Sequence, residues 1–206
     1  MVRRYLILRG DITDLDFFDA FQHELDALRE RTGIGLFYAS SDTRPEAGLS
    51  RQIYQEDEGR AVVSVVEDVR EDLRYIMIES EDPATADTVV RELSAKLDVA
   101  PLAELRVAAR SAGSDRERAR ALARLGVAGG ERTDRQTEAI VTGALADSSA
   151  EVRLAAAHAA GLLRWSEFAP ALRTAAQQDS SEKVRAVAEE ALRAFGPQSG
   201  RGSEQS

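Results

Sequence analysis

The chain has 206 residues, 43% hydrophobic and 31% charged, with a net charge of −9 and no cysteine. That balance is ordinary for a globular domain in water, and without cysteine there are no disulfides, thiol nucleophiles or cysteine-bound metals; a reducing cytoplasm is the expected compartment. No apolar run approaches the roughly 18 residues of a membrane span, and the four large apolar residues before Arg9 are too few for a signal-peptide core.

Charge divides the chain. Residues 1–104 hold 12 basic and 23 acidic side chains, whereas residues 105–206 hold 15 and 13. Eight of the eleven aromatics lie in the first part. This asymmetry predicts two units with different surfaces, over 1–104 and 105–195, which the patterns below make an acidic α+β domain and a helical unit. The tail 196–206, "GPQSGRGSEQS", opens on a Gly-Pro stop and has no apolar anchor, so it is expected to be disordered.

In chain order, "RRYLILRG" (3–10) predicts a strand. A helix follows, with Thr13 and Asp16 at its start, a core stripe of Leu15, Phe18, Phe21, Leu25 and Leu28, and Gly33 as its stop. "IGLFYASS" is a second strand, and "ASSDTRPEAGLSR" (39–51) is expected to be a long irregular loop. "SRQIYQ" and "RAVVSVVED" flank the tight turn "EDEG", and "LRYIMIES" follows after "VRED". A helix at about 83–97 carries Ala86, Val89, Val90, Leu93 and Leu97. The order β-α-β-β-β-β-α predicts an antiparallel sheet with two helices on one face, ferredoxin-like but without a clear closing strand.

The second half repeats itself. "DSSAEVRLAAAHAAGLL" from Asp147 returns 32 residues later as "DSSEKVRAVAEEALRAF" from Asp179. Val152, Ala155, Ala156, Ala159, Ala160 and Leu163 fall on Val184, Val187, Ala188, Ala191, Leu192 and Phe195, the spacing of one buried helical face. Ser148 with Glu151 and Asp179 with Glu182 predict capping pairs at the two starts. Ala139, Ile140, Gly143 and Ala144 fall likewise on Ala171, Leu172, Ala175 and Ala176, so the unit is a helical hairpin. Its helices are expected at about 149–163 and 166–178, with "RWSEF" as the turn and Ser166 as an N-cap. A degraded copy begins at "SDRERARALARLG" (114–126), with its second helix at about 134–146.

These residues resemble the first helix of a HEAT repeat, in the short bacterial form also seen in phycobilin-lyase-type proteins. The matching marks are Asp147 and Asp179, the pairs Val152-Arg153 and Val184-Arg185, the Ala-Ala step and Gly161. The resemblance covers about residues 114–195 and implies a stack of helical hairpins, with the turn Asp and the Arg tying neighbours together. In the first copy Arg118 stands where the valine is expected, and no turn Asp precedes it.

Candidate chemistry is sparse. His23 lies opposite a core stripe, and His158 has Glu190 as its counterpart, so both read as surface positions. The acidic groups Glu56-Asp57-Glu58, Glu67-Asp68, Glu71-Asp72 and Glu79/Glu81/Asp82 sit at strand ends and turns, in none of the orders that build a calcium loop. There is no phosphate-binding glycine loop and no nucleophile elbow. Trp165 at the repeat turn is a candidate partner anchor, while Phe168 staples the two helices. Arg116, Arg118, Arg120 and Arg124, with Arg132 and Arg135 nearby, form a solvated face or a candidate basic patch, for an acidic partner or, as in HEAT-like DNA-repair enzymes, for nucleic acid, and Arg116, Arg120 and Arg124 join Trp165 as partner-binding candidates.

The reading with no reactive group is a non-catalytic adaptor that uses no cofactor and no metal and binds another protein. Nucleic acid is disfavoured by the acidic first half. Two alternatives remain: a lyase-like or enzyme-associated module for a small ligand, by fold analogy alone, and an acidic inhibitor or immunity-type protein with a basic partner.

Overall fold

A computed structural model describes residues 1–10, 14, 16–130 and 133–195. Thr13 and Leu15 of the expected first helix, Arg132 and the tail from Gly196 lie outside the described residues. The chain divides into two units, Met1–Leu105 and a second beginning at Arg106.

The first unit runs β1 (Val2–Ile7), α1 (Phe17–Thr32), β2 (Leu36–Arg44), β3 (Leu49–Glu56), β4 (Ala61–Asp68), β5 (Leu73–Ser80) and α2 (Pro83–Ser94), in the expected order. The strands form one antiparallel sheet in the order β1-β5-β4-β3-β2. Short turns make β2 to β5 a meander, and β1 takes the free edge of β5. Alternation sends Val63 and Val65, with Ile76 and Ile78 on the next strand, to one face. There they meet Phe21, Leu25 and Leu28 of α1 and Ala86, Val89 and Leu93 of α2, so both helices cover the same face. Phe21 sits edge-on to Tyr54 at 5.3 Å. Gly33 ends α1 in the left-handed conformation at φ 76°, which a glycine adopts without a Cβ clash.

Two expectations change. The stretch 39–51 is not a loop. β2 continues to Arg44, a 3₁₀ turn spans Pro45–Ala47, and Asp42 pairs with Arg51 across the hairpin. Every residue of β2 after Leu36 is exposed, so this outer strand has no apolar face to reveal it in the sequence. The second change lies beyond α2. Val99 forms an antiparallel bridge with Leu8, and the Ala100 amide donates to the Ile7 carbonyl at 2.8 Å, so a single rung stands where the closing strand was missing.

The second unit contains a helix that the periodicity had not announced, α3 (Leu102–Ser111), inside which the division between units falls. After it come α4 (Asp115–Ala128), α5 (Arg135–Ala144), α6 (Ala150–Leu163), α7 (Ala169–Gln178) and α8 (Glu182–Ala194). The first helices of the hairpins stack side by side, α4 on α6 and α6 on α8. Small residues set their spacing. A Cβ added at Gly126 would lie 2.7 Å from the Ala159 Cα, and one added at Gly161 would lie 3.1 Å from the Ala191 Cβ. The two glycines hold equivalent places in successive copies, and α8 carries exposed Arg193 there instead.

The shared apolar face behaves as its position in the stack requires. Val152, Ala156 and Ala159 of α6 are fully buried, as are Val184 and Ala188 of α8. Ala160 and Leu163 are buried between two neighbours, whereas their counterparts Leu192 and Phe195 are half-exposed on the last helix. The expected caps differ in mechanism. Ser149 and Ser181 precede α6 and α8 with no side-chain cap bond, and Asp147 and Asp179 accept the Ser149 and Ser181 amides at 2.9 and 2.8 Å. Ser166 is no N-cap either, because a 3₁₀ turn Ser166–Phe168 leads into α7.

Candidate protein-interaction surface

The paired Asp and Arg of the repeats form rungs between successive turns. Arg153 on α6 donates through Nε and Nη2 to the two carboxylate oxygens of Asp179, at 2.7 and 2.9 Å. Its Nη1 reaches back to the carbonyls of Asp147 and Ser148, both at 2.9 Å. Arg118 on α4 does the same work one repeat earlier, with Nη2 2.6 Å from Asp147. Arg118 is therefore the counterpart of Arg153 and not an intruder at the valine site, and the first copy packs regularly through it. Arg185 closes the series on the Asp179 carbonyl at 2.7 Å.

These bonds shift the carboxyls. The Ser149 amide and then the Arg118 guanidinium hold Asp147 below the ordinary carboxylate range. For Asp179 the Arg153 guanidinium is the larger cause and the Ser181 amide adds to it, against the opposing effect of burial. A further rung ties α3 to α5. Arg106 pairs with Asp134 at 2.9 Å and donates to Thr137 and Gln136 at 3.1 and 3.2 Å, while Asp134 caps α5 by accepting the Gln136 and Thr137 amides.

The partner-binding candidates separate once placed. Trp165 is 4% exposed. Its ring stacks on Phe168 at 5.5 Å, and its Nε1 donates to the Gly130 carbonyl at 3.2 Å. It pins the turn of one hairpin to the turn of the hairpin before it and offers no face to a partner, which corrects the expectation of an open anchor. A bond from Trp165 to Gly130 crosses two helices, and no local pattern announces it. Of the arginine stripe, Arg116 is exposed, but Arg120 and Arg124 are half-buried and neither is without a partner. α4 packs on α6 and Arg118, Arg120 and Arg124 are half-buried, so the stripe is not a continuous solvated patch.

A different set of arginines comes together. α3, α4 and α5 enclose a shallow cavity of about 420 Å³ lined by Ala109, Arg110, Arg118, Arg135, Gln136, Ala139, Ile140, Gly143 and Ala144. Its floor is apolar, with Ala109, Ile140 and Ala144 buried. Arg110 and Arg135 are exposed on its rim, and no described residue accepts a bond from either. The Arg118 Nε is also buried without an acceptor among the described residues. α3 forms one wall, which is why the groove could not be drawn from a reading that lacked that helix.

Elsewhere the acidic groups serve local structure. Asp82 caps α2 by accepting the Ala84 and Thr85 amides at 3.1 and 3.0 Å. Glu56, expected as a solvated turn charge, is 5% exposed and held by the Arg60 amide at 3.0 Å and by its guanidinium, which keeps the carboxyl below its usual range. Glu67 pairs at 2.7 Å with nearly buried Arg74, whose guanidinium lies 4.2 Å from the Phe17 ring centroid. His23 and His158 are both exposed. Among the described residues, no three His, Asp or Glu side chains gather as a metal site requires, and no helix is long and apolar enough to cross a membrane.

No curated protein matches this chain, and no solved structure does. A family model of HEAT repeats matches residues 102–193, which adds α3 to the resemblance drawn from α4 onward. With its side-by-side helical hairpins and Asp–Arg rungs, the second half of the chain is a run of HEAT repeats.

Proposed function

We propose that the chain is a non-catalytic adaptor of the cytoplasm, in which the HEAT repeats present a helical surface to another protein and the acidic α+β unit adds specificity. HEAT repeats are generally protein-interaction scaffolds, and a stacked-helix surface offers extended contact area without any reactive group. The observation that carries this reading is the use of the polar residues that recur between copies. Asp147, Asp179, Arg118 and Arg153 are consumed in rungs, and Trp165 in a turn-to-turn bond, so these polar groups hold the stack together and leave partner contact to other residues of the helical surface.

The test is affinity capture from native cytosol with the full chain, followed by amide hydrogen exchange of the recovered complex. The expected result is a stoichiometric protein partner and new protection within residues 102–193. Recovery of no specific partner, or protection confined to β1–β5, overturns it.

A further inference from the structure

We infer that the groove between α3, α4 and α5 is the docking site for an acidic peptide segment of a protein partner; this rests on the adaptor reading above. Three observations converge there. The floor of Ala109, Ile140 and Ala144 is apolar and made of short side chains, so it accepts a leucine-sized group and removes it from water. Arg110 on α3 and Arg135 at the start of α5 stand on the rim with no acceptor among the described residues, and Arg118, paired with Asp147, also lines the groove with its Nε unsatisfied. Exposed guanidinium groups donate paired N–H bonds to a carboxylate. The third observation is room. A Cβ built on Gly143 meets no atom within 4 Å, so one turn of α5 is left open along the groove.

A volume of about 420 Å³ suits one or two side chains of a segment and not a folded domain. Nucleic acid fits the groove poorly. No aromatic side chain lines it for stacking on a base. The occupant is therefore a peptide with a carboxylate for the rim and an aliphatic side chain for the floor, one or two helical turns long.

The probe is a fluorescein-labelled synthetic peptide of Glu, Leu and Ala in helical alternation, titrated by anisotropy against the full chain at low salt. Saturable binding is expected. It should weaken at least about tenfold in the Arg110→Glu/Arg135→Glu variant, and as much when every Glu of the peptide becomes Gln. Gly143→Leu should abolish binding by filling the groove. That variant replaces a helical glycine facing open space, so its melting temperature should not fall, and a loss of binding cannot be assigned to misfolding.

The inference is overturned if no saturable binding occurs up to about 1 mM, or if Gly143→Leu binds like the parent chain. It is also overturned if a random-sequence DNA duplex binds as tightly as the peptide. The same holds if Gly143→Leu dissociates a self-associated form of the chain that ignores the peptide. A captured protein partner that remains bound to Gly143→Leu removes the groove and leaves the adaptor reading standing. Failure of the parent chain to capture any protein removes the adaptor reading itself.

Discussion

The two units bury comparable cores with opposite means. In the first, a sheet face and two helices close over Phe21, Leu25, Leu28, Ile76 and Ile78, large side chains that fill the space between layers. In the second, α4, α6 and α8 approach one another over Gly126, Ala159, Gly161 and Ala191, and there is almost no space to fill. Layers held apart by large groups are most sensitive to losing volume, while helices in near-backbone contact are most sensitive to gaining it. Polar chemistry divides in the same way. The first unit uses carboxylates one at a time, as caps and cross-strand pairs, whereas the second repeats a single Asp–Arg device from turn to turn.

The strongest break falls on the helical side. Val152→Asp places an unpaired charge at a fully buried position of the central helix, at a cost above about 4 kcal/mol. Loss of the cooperative helical melt in circular dichroism checks it, and an unchanged melt would refute the assigned seam. On the sheet side, Phe21→Ala removes a fully buried ring at a cost of about 3–5 kcal/mol. Faster hydrogen exchange in β4 and β5 than in the parent chain is the expected readout.

The rungs come next. Asp179→Asn leaves Arg153 without its paired carboxylate and should cost about 1–3 kcal/mol in urea unfolding. Because the folded carboxyl titrates below its unfolded value, this stabilisation is present above about pH 4 and disappears as the pH falls through the folded pKa. The parent chain should therefore lose more melting temperature than Asp179→Asn on acidification.

The sharpest form of the comparison needs only alanine. Gly126→Ala drives a methyl into the Ala159 backbone and should destabilise by about 1–3 kcal/mol. Gly143→Ala meets open space in the same kind of helix and should stabilise by about 0.5–1 kcal/mol. Thermal unfolding of the two variants should move in opposite directions from the parent chain.

Strong periodicities were legible. The apolar runs "RAVVSVVED" and "LRYIMIES", each beside a turn signal, placed two central strands, β4 and β5, which expose no residue to solvent. The doubled Val-Arg phrase placed α6 and α8 because the same face is buried in each copy. β2 was not legible as far as Arg44, since an outer strand exposed on both faces carries no alternating signal. α3 was missed as well. It is only ten residues long, and just Leu105 and Ala109 of it are buried, too few for a periodic stripe to stand out.

By itself, then, the sequence determined the identity of most elements, the division into an acidic and a near-neutral half and the repeat, because each is a statement about neighbours within a few turns of chain. Only the tertiary structure decided which polar groups remain available. Trp165 is spent on Gly130 and Arg118 on Asp147, while Arg110 and Arg135 line one groove floored by Ala109, Ile140 and Ala144. Those outcomes depend on which helix lies beside which, and helices stacked across long stretches of chain leave no mark in the local spacing of residues.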